Sequence, residues 1–227
     1  MGWTESIDLY CERTGPELWS EPANAVTNLA FFLAAWAAVR IGRRMGRLDA
    51  ESWTLIALVT AVGIGSTLFH TFGTRWASAA DTTPILLFIL AYLGLALRRW
   101  FGARRAEAAA VVVAFPFFAA GLAAASAGAL PPAMQGVPPY IGAFAALAAC
   151  AFLLALRRHP AAPWLGAAAL IFAASLTART LDLPTCAATG GWGAHWLWHV
   201  LNGALLGTLL HAWLRLGAPV ARAWTQR

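Results

Sequence analysis

Seven apolar stretches, at 24–41, 52–70, 81–97, 106–127, 138–156, 161–177 and 192–216, follow one another along the 227 residues. Each is near the length a helix needs to cross a bilayer. Breakers separate them, among them the Arg-rich RIGRRMGRLD, LPPAMQGVPP, RRHPAAP and LDLPTCAATGG. Such a chain has few options, because backbone polar groups in hydrocarbon must be satisfied inside a helix or a closed barrel. No segment alternates apolar and polar residues as barrel strands do. The expected fold is therefore an all-α integral membrane protein, a bundle of seven transmembrane helices. It reads as a single membrane domain over 1–227, with an acidic N-terminal loop (1–23), the spans (24–216) and a short tail (217–227). The first twenty residues are polar and acidic, so no cleavable signal peptide is expected.

Composition and charge narrow the class further. Only 11% of residues are charged and 60% are hydrophobic, whereas a soluble domain carries about 25% charged residues. A soluble domain and a disordered chain are both excluded. The net charge of +6 does not point to nucleic acid, because the sixteen basic residues, all Arg, sit in short clusters between apolar runs. With seven spans, thirteen arginines fall on one side (40, 43, 44, 47, 98, 99, 104, 105, 157, 158, 215, 222 and 227), leaving Arg13, Arg75 and Arg179 on the other. The positive-inside rule then predicts a cytoplasmic C-terminus and an outer N-terminus. Arg without Lys, with abundant Ala, suggests a GC-rich genome and hence a bacterial inner membrane.

Ionisable groups at membrane depth are costly and so are functional candidates. His70 ends the second span, with Ser66 four residues earlier; Asp81 opens the third; His195 and His199 lie near the start of the seventh. All five fall at the outer ends of their helices in a topology derived from arginines alone. His195 and His199 are spaced i, i+4, so they share a helix face about 6 Å apart along the axis. Two such imidazoles suit one metal ion, and a third His from another helix leaves the open position that catalytic zinc requires. The plainer readings are interhelical hydrogen bonding for the histidines and helix capping for Asp81. His159, in the RRHP loop, reads as solvated, and His211 lies at a different depth. Cys150, inside the fifth span, reads as packing.

The set SEPANAVTNL, GIGSTLFHT, Asp81 eleven residues after His70, and HWLWHVLN resembles the alkaline ceramidases of the CREST superfamily of seven-span membrane hydrolases. The resemblance covers essentially the whole chain in motif order and span count. It implies zinc held by His70, His195 and His199, with Ser66 and Asp81 completing a catalytic site. It implies a ceramide-like lipid substrate, hydrolysed at its N-acyl bond to a sphingoid base and a fatty acid. Tyr140 and Trp198 fall where that family has aromatic residues lining the cavity, although both also suit an interfacial belt. The family's acidic N-terminal loop binds calcium, and Glu12 and Glu21 match that pattern. Asp8 lies one residue further from Cys11 than the pattern has it, and Thr14 stands where the family often has Asn. The other reading of this loop is that its acids help set topology, or that Glu21 pairs with a helix end. The resemblance also implies a disulfide between Cys11 and Cys186, both in outer segments. On this reading Asp81 is the general base and Ser66 a hydrogen-bond donor. Two further functions fit the same motifs: hydrolysis of a different acyl lipid, ester or amide, and a seven-span receptor with a structural metal.

Overall fold

The computed structural model of the chain describes residues 2–130, 134 and 136–217. All of the expected tail except Gly217, with Arg222 and Arg227, lies outside the described residues. The described residues form eight α-helices: α1 (Pro22–Thr27), α2 (Leu29–Met45), α3 (Ala50–Phe72), α4 (Arg75–Trp100), α5 (Arg105–Ala127), α6 (Pro138–Leu156), α7 (Ala162–Leu181) and α8 (His195–Arg215). The β structure among them is one isolated bridge, Ser6 to Thr74. α1 and α2 form one apolar unit, Pro22–Met45, interrupted at Asn28. That unit and α3 to α7 are six segments long and apolar enough to cross a membrane. α8 is also long, at 21 residues, but His195, His199, Asn202 and His211 dilute its apolar character. The chain is a helical membrane bundle.

Each long helix from α2 onward packs on the next, and α8 closes the ring against α2. α1 sits against both α3 and α8. The outward faces are apolar, with Phe117 78% and Leu170 75% exposed, as expected of helices that are hydrophobic all round. The inward face of α3 (Leu55, Val59, Val62) packs in one core with Leu205, Leu209 and Leu210 of α8. Polar ties hold the end of the bundle remote from α1. Tyr92 Oη donates to the Leu209 carbonyl at 3.0 Å, and Trp213 Nε1 donates to Ser52 Oγ at 3.2 Å. The Arg99 guanidinium lies 3.3 Å over the Trp213 ring and bonds Glu51 at 2.7 Å. Asp49 caps α3 by accepting the Ser52 amide at 2.8 Å.

Two boundaries differ from the sequence reading in ways that matter. α3 ends at Gly73 in the left-handed region (φ 56°), and Thr74 is already extended, so α4 starts at Arg75. Asp81 is thus nearly two turns inside α4 and does not cap it. Apolar content placed the start too late because Trp76, Ala77, Ala79 and Ala80 are competent helix residues outside the apolar run. The final helix begins at His195, not at Trp192, because Gly190, Gly191 and Gly193 all take positive φ.

Candidate metal centre

The last turn of α3 and the first turns of α4 and α8 meet at one end of the bundle, beside α1. His70 comes from α3, and His195 and His199 come from α8. Each offers one ring nitrogen, and the three nitrogens lie within 4.8 Å of one another. All three residues are 1% exposed. The His70 ring lies 4.6 Å from that of His199 and 5.1 Å from that of His195, centroid to centroid.

Neighbouring groups set which nitrogens face inward. His70 Nδ1 is 2.5 Å from Glu21 Oε2, so Nδ1 carries the proton and donates it to the carboxylate. Thr27 Oγ1 spends its own proton on the Ala23 carbonyl at 2.7 Å. It therefore accepts from His199 Nδ1, 3.0 Å away. Nε2 is left as a lone pair on both rings. Metal-bound histidines are commonly held this way, the second nitrogen fixed by a carboxylate or another acceptor. His195 is held differently. Its ring stacks on Tyr10 at 3.6 Å, and its Nδ1 is buried with no hydrogen-bond partner. A buried unpaired ring nitrogen costs free energy that a metal ion would recover. The three residues are placed to bind a metal ion, and an all-nitrogen set with a free fourth position is compatible with zinc.

Ser66 lies one turn before His70 on α3 and is buried. Its hydroxyl sits beside the Asp81 carboxylate across the α3–α4 contact. Gly65 makes that contact possible, since a Cβ there would run into the Ala80 carbonyl and the Asp81 backbone. Ser66, Asp81, His195 and His199 line one end of a largely apolar cavity. Along α4 the cavity wall continues from Asp81 through Ile85, Phe88 and Tyr92 to Ala96. Those sixteen residues span about 22 Å, most of the ~30 Å hydrocarbon thickness of a bilayer. Tyr140 and Trp198 both line this cavity, their rings 4.9 Å apart.

Besides Thr27, three more residues of this region escaped the sequence reading. Arg179 lines the cavity, counted from sequence only as a loop charge. Its guanidinium donates to Tyr10 Oη at 3.1 Å and lies 5.2 Å over both the Tyr140 and Trp198 rings. Tyr10 joins Arg179 to His195, and burial pushes its phenol above the ordinary range, so it stays neutral. Asp182 accepts from the amides of Cys11 (3.0 Å), Ala194 (2.8 Å) and His195 (2.9 Å). The signal for Asp182 was its position: a carboxylate at the C-terminal end of α7 is unfavourable there unless it serves another helix.

Cys11 and Cys186 form a disulfide, Cα to Cα 5.4 Å, which fastens the N-terminal segment to the loop ahead of α8. Asp8, Glu12 and Glu21 do not converge on an ion site. Asp8 is exposed. Glu12 spends both oxygens on the Ala23 and Asn24 amides (2.6 and 2.8 Å), which caps α1. Burial pushes its carboxyl above the usual range, only partly offset by those two amides. Glu21 Oε1 pairs with Arg13, and Oε2 accepts from Asn24 and His70. Four carboxylate oxygens that all face N–H donors do not fit calcium, which needs free oxygen ligands. His159 is half-buried, not fully solvated, and its Nδ1 accepts the Ala161 amide at 3.1 Å. His211 packs on Trp164 at 4.7 Å, apart from the centre. Cys150 is a free thiol on the cavity wall.

No protein-family model matches the chain, and no curated protein matches it.

Proposed function

We propose that the chain is a zinc-dependent membrane hydrolase that cleaves the N-acyl bond of ceramide-like lipids, giving a sphingoid base and a fatty acid. The observation that carries this reading is a three-His centre facing a carboxylate–hydroxyl pair, Asp81 and Ser66, at one end of a long apolar cavity. A centre built only to hold a metal normally has four protein ligands, and this one offers three among the described residues. The asymmetry of the arginines supports seven spans with the centre toward the outer face of a bacterial inner membrane and the C-terminus in the cytoplasm.

Zinc bound at this centre would supply Lewis acidity and lower the pKa of a bound water toward about 7. Asp81 takes a proton from the attacking water and returns it to the leaving nitrogen. The new C–O bond forms at the acyl carbon, the C–N bond breaks, and the products are a free amine and a fatty acid. Ser66 orients the Asp81 carboxylate at rest; once Asp81 is protonated, the hydroxyl is released to donate to the developing oxyanion. Tyr140, Trp198 and Arg179 form the mouth that takes the polar end of the lipid. The apolar wall from Ile85 to Ala96 takes an acyl chain.

The test is fatty-acid release from ceramide by the purified, zinc-containing protein in detergent, with His199→Ala and Asp81→Ala alongside. The expected result is release by the wild type only, with zinc retained in Asp81→Ala and lost in His199→Ala. No release by the zinc-containing wild type overturns the reading.

A further inference from the structure

The acidic N-terminal segment already contains a cation of its own. The Arg13 side chain is 1% exposed, as is that of Glu21. Each guanidinium nitrogen has a separate oxygen partner. Nε donates to Glu21 Oε1, one terminal nitrogen to the Gly15 carbonyl at 3.1 Å, and the other to the His70 carbonyl at 3.3 Å. One carboxylate and two backbone carbonyls are the kind of hard-oxygen set that a divalent ion such as calcium would gather. Gly73 leaves the room for it, since a Cβ at this position (φ 56°) would run into the guanidinium.

We infer that Arg13 is an internal cation that takes the place of a divalent ion in this segment and, through Glu21, positions His70 for metal binding. Arg13 neutralises Glu21 and holds one of its oxygens, so the other is aimed at His70 Nδ1. Its bond to the His70 carbonyl fixes the backbone of the same residue. Without Arg13, Glu21 is a buried carboxylate without a counter-charge, and its Oε1 has lost the partner that fixes it. Its Oε2 is then no longer held toward His70 Nδ1, and His70 loses the acceptor that orients the ring and strengthens its Nε2 as a ligand. Arg13 is a positioning residue and touches no reacting atom. The inference rests on the three-His metal centre and not on the reaction proposed for it.

The test uses the full-length protein in detergent and reads metal affinity, not turnover. Zinc affinity is measured by competition with a chromophoric chelator for the wild type, Arg13→Ala and Arg13→Lys. The melting temperature of the wild type is measured with and without millimolar calcium. Arg13→Ala is expected to bind zinc about 10- to 100-fold more weakly, and millimolar ethylguanidinium is expected to restore part of the loss. Arg13→Lys, whose ammonium cannot reach three separate oxygens, falls between the two. Calcium leaves the wild-type melting temperature unchanged. A calcium-induced rise in that temperature, or wild-type zinc affinity in Arg13→Ala, overturns the inference. If Arg13→Ala does not fold, Arg13→Lys and the calcium comparison decide. Failure of lipid hydrolysis in a protein that shows these affinities counts against the proposed reaction and leaves this inference standing.

Discussion

The Asp182 carboxylate accepts the backbone amide of His195 at 2.9 Å, so the first candidate metal ligand of α8 is held by a side chain from the end of α7. The same oxygen takes the Ala194 amide, and its twin takes the Cys11 amide. One buried carboxylate therefore caps α8 and anchors the N-terminal segment over the centre. α8 has no capping side chain of its own, its N-cap being Ala194. Asp182→Ala is expected to lower stability by on the order of 1–2 kcal/mol, read as a lower melting temperature. Asp182→Asn, which keeps an acceptor oxygen, recovers part of it.

Thr27 tests the tautomer argument for His199. Thr27→Val keeps the shape and removes the hydroxyl that accepts from His199 Nδ1, leaving the Asn24 carbonyl as a partner of the ring. Zinc affinity is expected to fall about tenfold, with little change in the melting temperature of the zinc-free protein. Thr27→Ser, which restores the oxygen, returns the affinity to near the wild-type value.

Asp81 and Ser66 separate chemistry from metal binding. Asp81→Asn is expected to keep one zinc per chain and lose about 10²- to 10⁴-fold in kcat, the range typical of a missing general base. Ser66→Ala loses less, because the carboxylate remains. Loss of zinc from Asp81→Asn, measured by elemental analysis, contradicts the assigned role.

Cys11 and Cys186 tie the N-terminal segment to the loop before α8. Reduction, or Cys11→Ser with Cys186→Ser, is expected to cost about 2–4 kcal/mol. Because Tyr10 stacks on His195 next to that bond, zinc should also dissociate faster from the reduced protein, which chelator-challenge kinetics can follow.

Asp49 gives a pH signature at the opposite end of the bundle. Burial alone pushes its carboxyl up, but the Ser52 hydrogen bonds and Arg99 outweigh it and hold it below the usual range. A carboxylate whose folded pKa is depressed contributes stability above its unfolded pKa, about 3.9, and loses it as pH falls through the folded value. Asp49→Ser keeps a cap that does not titrate. The melting-temperature advantage of the wild type over this variant should be constant above about pH 5 and shrink below pH 4.

The His70, His195 and His199 set was legible because i, i+4 spacing and helix ends are local properties of the chain. Helical character and most span positions were legible from apolar runs for the same reason. The residues that orient the ligands were not. Glu21 and Thr27 reach His70 and His199 because α1 packs against both α3 and α8. A break inside an otherwise continuous VTNLAFF run carries no clear local signal. Asp81 was seen as a candidate but assigned to a helix start, because the Gly73–Thr74 turn and not the apolar run decides where α4 begins. The acidic loop misled through its composition. Glu12 and Glu21 look like free ligands in sequence, whereas Arg13 and the α1 amides already engage them.

The central claim is that the three-His centre, once loaded, hydrolyses an acyl lipid. It is tested most directly by preparing the zinc-free protein and returning zinc stepwise while fatty-acid release from ceramide is measured on the same samples. The account predicts release that rises in proportion to bound zinc and saturates at one zinc per chain, with none from His199→Ala at any loading. Release that is absent at full loading, or unaffected by zinc, would contradict it.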